Sequence, residues 1–553
     1  NAEIERKMDF VRRFGAKGDG HHDDGPAIRE AIRQLPPYSK DTPYAIRILF
    51  FPAGTYLVAD TIERRDAAGL FLPNLVLLGE DRDHTVIALA DGAPGFGDPL
   101  HPRAVIRTAS GLAFSSDPND GGRDHRGSGG GNEAFGNVVE NLTIRTGRRN
   151  PGAIGIDFLA NNVGAIRNAR IESGDLGAVG VAMRRAWPGP ALLEGVKIAG
   201  FDIGIDIARS NYSMTFCDVE ISRSRSFGLR NRSNLVSFET LSIDAPEGVA
   251  FANPQADGMV VGIGGTFVAR NGVSVQNQGA LNLTGCTARD GAGAATRIDG
   301  VYERGERLSN PGWRLPVKRA PDAPKLGRDD WFLASRAPPG APIADLFAAA
   351  AAAGKRGVLL DTGPYLVDAP VEVPDEVEVV DGLFASARFG GKPDAAPLPG
   401  LFQTRPDRTR PFHLKRVVVS LARPSGHVVK HAAAAPLVAS DIVGLGGIGL
   451  FNRPPTGGPV FATDTSAGNT IVSGCAGVWL RQFNCEGPTI RLHNTGAPVW
   501  ILGAKTEQTN TLVRATDGAV TEVVGGFVFR VFGAATPMPA FESVDSVLRL
   551  AYV

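Results

Sequence analysis

The chain has 553 residues, with 58 Lys or Arg balanced by 58 Asp or Glu. This balance excludes the strong net charge that attracts nucleic acid or an acidic membrane surface, and no apolar run is long enough to span a bilayer. The 69 glycines and 39 prolines are spread among valine- and isoleucine-rich runs, which indicates many short strands joined by tight turns.

The first element is the glycine-rich stretch FGAKGDG at residues 14–20, followed by two more aspartates and Pro26. Asp19, Asp23 and Asp24 have the donor atoms of a metal site. A helix that begins near Pro26 explains them better, because aspartate is a preferred N-cap and proline suits the first turn. We therefore predict a capped helix here and no metal.

A glycine-rich insertion follows at about residues 91–136 and includes the stretch DHRGSGGGNEAFGN. It departs from the short repeat of the residues that follow it in the chain. Long insertions in repetitive folds usually lie on one face, often over a binding groove. His125 and Arg126 are therefore candidate substrate contacts.

Short segments, in most of which two apolar residues flank a third, recur through the first half of the chain. They are Leu142–Ile144, Ala169–Ile171, Val196–Ile198, Val219–Ile221, Leu241–Ile243 and Gly265–Phe267. From Ile144 onward the steps are 27, 27, 23, 22 and 24 residues. Asn141 and Asn168 precede the first two, as a ladder of stacked turns requires. Late in the chain WILG at 500–503 and EVVG at 522–525 are 22 residues apart.

This period predicts an all-β chain coiled as a right-handed parallel β-helix. The strands are too closely spaced for a parallel sheet covered by helices. They suit a coil in which each turn stacks on the last, about 4.8 Å away. A propeller is the alternative, but its blades need about 40–45 residues each.

A larger duplication overlies the short repeat. Gly54–Val58 reads GTYLV and residues 363–367 read GPYLV, each after a helix-like stretch and an apolar strand. A proline and another strand ending in glycine follow each, at residues 72–79 and 373–382. Two tandem β-helix domains are therefore predicted, at 1–300 and 331–553, with an Arg/Pro-rich linker at 301–330.

The opening stretch FGAKGDG, the aspartates after it and FPAGTYLV resemble the start of the pectate-lyase-superfamily β-helices. That group includes polysaccharide lyases, glycosidases and phage tailspikes. The tandem duplication resembles the family-55 glycoside hydrolases, which are laminarinase-type exo-β-1,3-glucanases. Residues 138–171 are similar in pattern to the first-domain core of that family, although the glutamine of its strand is absent from DFLAN at 157–161. The stretch GAKTEQ lies where that family has its general-acid glutamate, which implies this role for Glu507.

Glycoside hydrolysis needs a protonated acid at the leaving oxygen and a second carboxylate acting as base or nucleophile. Glu507 follows the end of a strand, where a side chain can leave the apolar stack and enter a groove. Glu486 lies 21 residues earlier, close to one turn of the coil, so stacking brings their backbones to about 5 Å. A polar turn for Glu507 and a solvated position for Glu486 are the alternatives.

Other residues near these glutamates are candidate substrate contacts. The side chains that can hydrogen-bond to a sugar or stack on its ring are Trp479, Arg481, Gln482, Asn484, Trp500 and Lys505. Ordinary surface positions or packing explain them equally well. Asp157 is a candidate base from the first domain. The pattern GIDIA at 204–208 repeats its surroundings, so a turn or ladder role is the alternative.

The four cysteines, Cys217, Cys286, Cys475 and Cys485, have no metal or redox spacing and are expected as core residues. The chain starts at Asn1 without methionine, which leads us to expect a removed leader and a secreted or periplasmic protein. The sequence has no coiled-coil heptads that would indicate an oligomer, so we expect a monomer.

We therefore predict a glycoside hydrolase, β-glucanase-like, that cleaves a poly- or oligosaccharide with Glu507 as general acid and no cofactor. The alternative is a polysaccharide lyase that acts by β-elimination on a uronic-acid polymer, which needs Arg, Lys or Ca²⁺ against the uronate. A second alternative is a tailspike-like glycan-binding protein, for which removal of Glu507 has no effect.

Overall fold

The computed structural model describes most of the chain. The described residues are 8–111, 129–209, 212–245, 247–303, 306–308, 312–338, 341–361, 363–367, 369–389, 399–421, 426–446, 448–474, 476–487, 489–529 and 538–553. They divide into two compact units, Asp9–Gly312 and Trp313–Tyr552. None of the described helices is both long enough and apolar enough to cross a membrane.

The first unit is built almost entirely from short parallel strands. One helix, α1 (Gly25–Arg33), precedes most of them, and a 3₁₀ turn covers Val11–Phe14. The strands are β1 (Met8–Phe10), β2 (Asp19–Asp23), β3 (Ile48–Phe51), β4 (Gly54–Val58), β5 (Val76–Gly79), β6 (Thr85–Leu89), β7 (Arg103–Arg107), β8 (Phe135–Glu140), β9 (Thr143–Arg145), β10 (Ala153–Asp157), β11 (Asn161–Arg167), β12 (Arg170–Met183), β13 (Ala191–Glu194), β14 (Lys197–Ile207), β15 (Met214–Ser222), β16 (Phe227–Asn231), β17 (Leu235–Ala245), β18 (Val249–Asn253), β19 (Met259–Ala269), β20 (Val273–Asn277), β21 (Ala280–Thr284), β22 (Thr287–Asp290), β23 (Thr296–Arg297), β24 (Gly300–Glu303) and β25 (Glu306–Leu308).

The repeat predicted from the sequence is the column that lines this coil. Ile144 pairs with Ile171, and the column continues through Ile198, Ile221, Ile243 and Phe267. All these pairings are parallel and in register, and all six side chains are buried. The step of 22 to 27 residues is therefore one turn of a parallel β-helix, and the predicted fold is confirmed.

The turn before each member of this column has a left-handed residue. The φ angles are positive at Asn141, Asn168, Gly195, Asp218, Thr240 and Gly264. Asn168 Nδ2 donates to Asn141 Oδ1 at 2.8 Å, so the predicted asparagine ladder exists. Asparagine, aspartate and glycine tolerate this backbone region best, which explains their choice.

The aspartates of the opening stretch hold a turn together. Asp24 occupies the N-cap of α1, but its carboxylate accepts from the amides of Lys17 and Gly18 rather than from the helix. Asp23 accepts from the Gly25 amide at 2.9 Å, and Asp19 accepts from the His22 amide and imidazole. The predicted helix is present, with Asp23 bonded to its first amide, and the buried Asp24 carboxylate fixes the glycine turn before the helix instead of capping it.

The second unit has a helix, two 3₁₀ turns and two stacks of parallel strands. The helix α2 covers Ile343–Ala352, and the 3₁₀ turns cover Arg328–Asp330 and Ala334–Arg336. The strands are β26 (Trp331–Leu333), β27 (Gly357–Leu359), β28 (Tyr365–Val367), β29 (Val371–Glu372), β30 (Val379–Phe389), β31 (Phe402–Thr404), β32 (Phe412–Leu421), β33 (His427–His431), β34 (Leu437–Leu445), β35 (Gly449–Arg453), β36 (Val460–Ser466), β37 (Thr470–Ser473), β38 (Val478–Asn484), β39 (Ile490–Thr495), β40 (Pro498–Glu507), β41 (Thr511–Thr516), β42 (Val520–Phe529), β43 (Phe541–Ser543) and β44 (Val547–Tyr552).

One stack runs from β26 through β27 to β30 and then through the even-numbered strands to β44, and β28 also pairs with β30. The other stack runs through the odd-numbered strands from β29 to β43. The late repeat of the sequence is again one turn, because Ile501 pairs with Val523 and Leu502 with Val524. A single apolar core lies between the stacks. As in the first unit, a helix precedes a strand and the Gly-x-Tyr segment.

The stretch Trp313–Lys318, here called the strap, lies along an outward column of the second unit. That column contains Phe461, Trp479, Trp500 and Glu522 in consecutive register. The buried Glu522 carboxylate accepts from the Arg314 and Leu315 amides at 2.7 and 3.0 Å. Residues 313–330, predicted as part of a linker, therefore belong to the second unit; the predicted domain bounds remain a prediction.

Candidate active site

The pairing of β38 with β40 brings the two predicted glutamates to neighbouring turns. Asn484 stands opposite Lys505, so Glu486 and Glu507 each lie two residues beyond this pair. Because β40 stays extended to its last residue, Lys505 and Glu507 point to the same face. The sequence prediction that Glu486 and Glu507 stack is consistent with this register.

Lys505 joins the two carboxylates. Its ammonium donates to Glu507 Oε1 at 2.7 Å and also to Glu486 Oε1. The Lys505 side chain is 2% exposed, whereas those of Glu486 and Glu507 are 32% and 24% exposed. The buried cation therefore presents two accessible carboxylates with a net charge of −1. We call these three residues the acidic site.

The backbone around the acidic site is fixed by buried hydrogen bonds. Thr506 Oγ1 donates to the Cys485 carbonyl at 2.7 Å, and the Asn510 amide donates to the carbonyls of Gly487 and Glu507. Asn484 Nδ2 lies 3.3 Å from Glu486 Oε1. Glu486 thus accepts hydrogen bonds from two side chains, and the two turns are tied to each other.

The next turn of the coil places two aromatic rings beside the acidic site. Lys505 pairs with Phe527 and Glu507 with Phe529. The two rings are stacked, with centroids 6.3 Å apart and planes 22° apart, and Phe529 is 45% exposed. An exposed aromatic face is the surface on which a sugar ring packs. The sequence signal was available, since Phe527 and Phe529 lie 22 residues after Lys505 and Glu507.

The predicted aromatic and arginine contacts lie elsewhere. Trp479 donates its indole N–H to the Pro316 carbonyl at 2.9 Å, and Arg481 donates to the Lys318 carbonyl. Trp500 is fully buried, with the Arg481 guanidinium 5.2 Å from its ring centroid. The strap therefore occupies the surface that these three side chains were expected to offer to a sugar.

Four predicted substrate contacts remain, namely Gln482, Asn484, His125 and Arg126. Gln482 is buried in the turn stack at a φ of +52°, the position that Gly503 takes one turn later. Asn484 contacts the acidic site as described. His125 and Arg126 lie outside the described residues. The structure thus brings together Glu486, Glu507, Lys505 and Asn484.

Asp157 lies in the first unit, at the carboxyl end of β10. The Arg185 guanidinium donates to Asp157 Oδ1 at 3.1 Å, and Arg107 Nε lies 3.5 Å from Oδ2. Arg107 also approaches Glu63 at 3.7 Å. Burial lowers the pKa of Arg185, and the Asp157 charge opposes that change. Asp157 is therefore held by two cations.

Asp206, the aspartate of GIDIA that repeats Asp157, lies in the same outward column of side chains. The column runs from Arg107 through Asp157 and Ala182 to Asp206 and Arg230. Arg230 and Arg232 both bind the buried Asp206 carboxylate, and Arg184 Nη1 lies 3.6 Å from it. Burial alone would raise the pKa of Asp206, but the hydrogen bonds from Arg230 and Arg232 outweigh it and lower the pKa below 3.8.

We call Asp157, Asp206 and the five arginines around them the arginine row. Its net charge is +3, and it lies where strands of five successive turns end. The glycine-rich insertion is rooted here, because Arg185 donates to the Thr108 carbonyl just after β7. The sequence analysis missed the row because arginines at strand ends look like ordinary surface residues.

Within the described part of the chain, no three His, Cys, Asp or Glu side chains form a group that could hold a metal ion. Three of the four cysteines, Cys217, Cys286 and Cys485, are free and buried, as expected of core residues. Burial raises the pKa of the Cys485 thiol to about 12. Cys475 lies outside the described residues.

Residues 10–239 match the family described as rhamnogalacturonase A/epimerase, pectate lyase-like. Two sequence relatives are from Azotobacter vinelandii. Mannuronan C5-epimerase AlgE1 is 34% identical over 127 residues, or 23% of this chain and 8% of the relative. Alginate lyase 7 is 36% identical over 101 residues, or 18% of this chain and 10% of the relative. The matched part is thus a small fraction of either relative.

Among solved structures, sacteLam55A from Streptomyces sp. SirexAA-E is similar over 92% of this chain and 86% of its own, with 13% identity and a TM-score of 0.44. The family match and the coil together identify a pectate lyase-like parallel β-helix protein. The resemblance that the opening residues implied is confirmed at this level.

Proposed function

We propose, for this pectate lyase-like parallel β-helix protein, that it cleaves glycosidic bonds of a polysaccharide by hydrolysis at the acidic site. The observation that carries the proposal is the pair Glu486 and Glu507 on one buried ammonium, with Phe527 and Phe529 one turn further on. Two accessible carboxylates and an adjacent aromatic surface are what hydrolysis of a sugar chain requires.

Glu507 takes the role of proton donor in this proposal. It accepts one hydrogen bond, from Lys505, whereas Glu486 accepts from both Lys505 and Asn484. Glu486, which two donors hold in place, takes the role of base or nucleophile.

The test is a panel of neutral and acidic glycans, with products followed as reducing ends and as absorbance at 235 nm. Hydrolysis gives reducing ends without absorbance at 235 nm. Glu507→Gln and Glu486→Gln should each lower the rate about 100- to 10,000-fold. Glu542→Gln is the matched control, because Glu542 pairs with Arg514 elsewhere in the same unit. Full activity of Glu507→Gln would refute the proposed role.

A second candidate function is β-elimination on a uronic-acid polymer at the arginine row. The net charge of the row suits a chain that has one carboxylate on each sugar, and neutralising that carboxylate makes the neighbouring C–H more acidic. The nearest base is Asp157, which accepts from one guanidinium and lies beside another. Because both cations already occupy the Asp157 carboxylate, this candidate stands second.

The same panel separates the two candidates. Elimination creates an unsaturated product that absorbs at 235 nm, and its rate should fall in Arg230→Gln and Arg232→Gln but not in Glu507→Gln. Absence of such a product from every uronate polymer tested would remove the second candidate and leave the first intact.

A further inference from the structure

Away from the acidic site and the arginine row, the first unit has an open cavity of about 390 Å³. Its lining residues follow β6 and the column members Ile144, Ile171 and Ile221. Its lining includes three arginines, two carboxylates and one serine: Arg145, Arg148, Arg223, Asp91, Glu172 and Ser173. We call it the turn cavity.

Two of the arginines are unpaired, whereas the third is not. Arg145 donates to Glu172 at 2.7 Å, and Asp91 accepts from the Arg148 backbone amide at 2.8 Å. Among the described residues, no acceptor lies within bonding distance of the Arg148 or Arg223 guanidinium group. The lining thus has a net charge of +1, and two cations are available to a ligand.

Each of these two arginines lies against a glycine of a neighbouring turn. A Cβ on Gly174 would lie 3.4 Å from Arg148 Cγ, and a Cβ on Gly200 would lie 3.5 Å from Arg223 Nη2. Arg148 therefore passes over Gly174 from one side, and Arg223 passes over Gly200 from the other. Gly200 and Arg223 both have positive φ, at +86° and +54°. For an arginine this backbone region is uncommon, and here it places the side chain across the neighbouring turn.

The lining of the turn cavity also includes a polar group without a hydrogen-bond partner among the described residues. The Ser173 side chain is buried, and its hydroxyl has no hydrogen-bond partner among the described residues. A buried hydroxyl normally has a partner, and an exception calls for an explanation. Rotation of this side chain toward the cavity would supply a donor beside the two guanidinium groups.

From these observations we infer that the turn cavity binds a sugar residue bearing a single oxyanion, a carboxylate or a sulfate ester. Its net charge matches one negative charge, its volume lies in the range of small-molecule sites, and guanidinium groups bind such oxyanions through paired N–H donors. This site is separate from the acidic site and goes beyond the proposed function, because binding there does not require cleavage.

The test is titration of the full chain with glucuronate, glucose 6-sulfate, glucose and inorganic sulfate, followed by ligand-observed NMR. Either sugar monoanion should bind with a Kd of about 1 mM, and glucose at least about tenfold more weakly. Inorganic sulfate that binds as tightly as both sugars would show an adventitious ion only and overturn the proposal. Binding of glucose equal to that of the anionic sugars would also overturn it.

Four variants locate the site. Arg148→Gln and Arg223→Gln should each weaken binding at least about tenfold, whereas Arg270→Gln, which removes an exposed arginine paired with Asp244, should not. Gly174→Asp should abolish binding without loss of folding, because it places a carboxylate beside Arg148. Unchanged binding in Gly174→Asp would refute the site even if the arginine variants unfold. Glu507→Gln should keep full binding, so failure here is distinct from failure of the proposed hydrolysis.

Discussion

Lys505 is the residue on which the acidic site depends, because it is buried and its ammonium pairs with the carboxylates of Glu486 and Glu507. Replacement by glutamine removes the ammonium and leaves Glu486 and Glu507 to repel each other. We expect a loss of about 1–3 kcal/mol in the free energy of unfolding, measured by equilibrium urea denaturation. A change below about 0.5 kcal/mol would show that the carboxylates do not need the cation.

Arg514→Gln is the matched control for this measurement. Arg514 pairs with Glu542 at 3.3 Å in the same unit, but both side chains are more than 30% exposed. Exposed pairs contribute about 0–1 kcal/mol, so the control should stay within that range. A loss as large as that of the Lys505 variant would show that any broken pair has this effect.

Three buried histidines make the second unit sensitive to acid. Burial lowers the pKa of His413 and His427 to about 4 and that of His431 to about 3. The unfolded chain takes up these protons below about pH 6.5, whereas the folded chain does not. Stability is therefore complete above pH 6.5 and falls as the pH drops toward 4, by on the order of 2 kcal/mol for each histidine.

Tryptophan fluorescence measures this effect selectively, because four of the five tryptophans, 313, 331, 479 and 500, belong to the second unit. The urea midpoint by fluorescence should fall between pH 7 and 4. His427→Gln should show a smaller fall than the parent chain. A midpoint that does not change over this range would contradict the assigned burial of the histidines.

At the scale of the element, the left-handed turn residue before each core triplet fixes where a turn ends. Asn168 has a φ of +45° and contributes one rung of the asparagine ladder. Asn168→Gly loses the hydrogen bond but keeps the backbone geometry, whereas Asn168→Ala loses both. We expect the alanine variant to be less stable than the glycine variant by about 1 kcal/mol, measured as the difference in urea unfolding free energy.

The opposite ranking, with alanine at least as stable as glycine, would mean that the backbone at residue 168 does not need the left-handed region. Gly195, the next member of the column, offers a second comparison, since Gly195→Ala should cost a similar amount.

The inward faces of these strands could be predicted from the sequence, and the outward faces only in part. Apolar side chains such as Ile144 and Ile171 recur once per turn because the core repeats once per turn, so their spacing gives the register. The same spacing predicted that Glu486 and Glu507 lie on neighbouring turns, which agrees with the register of β38 and β40. Trp479 and Trp500 were misjudged because nothing in their own strands shows that the strap returns to cover them. The arginine row depends on pairings across five turns, which local sequence does not display.

At the scale of the whole chain, the strap decides where the second unit begins. A fragment of residues 313–552 keeps the segment that covers Trp479 and Trp500, whereas a fragment of 331–552, which starts at the predicted domain bound, exposes them. We expect the longer fragment to remain monomeric. The shorter one should bind a hydrophobic dye and aggregate, because a large exposed apolar patch promotes association.

Size-exclusion chromatography and dye fluorescence of the two fragments check this expectation. Equal behaviour would show that the strap is dispensable and that the unit starts at residue 331. Glu522→Gln in the full chain is an independent measurement, because Glu522 anchors the strap through the Arg314 and Leu315 amides. It should increase acrylamide quenching of the tryptophans.

The in-register stacking of turns gives the molecule the properties of a ruler with divisions of about 4.8 Å. Asn484, Lys505 and Phe527 fall on three consecutive divisions, so their spacing along the axis is set by backbone pairing rather than by any loop. Deleting one complete turn upstream would slide the three together by a single division and leave their mutual spacing unchanged. The distance between two chemical groups along the axis is therefore a whole number of turn spacings. The coil can gain or lose a turn while each group keeps its immediate neighbours.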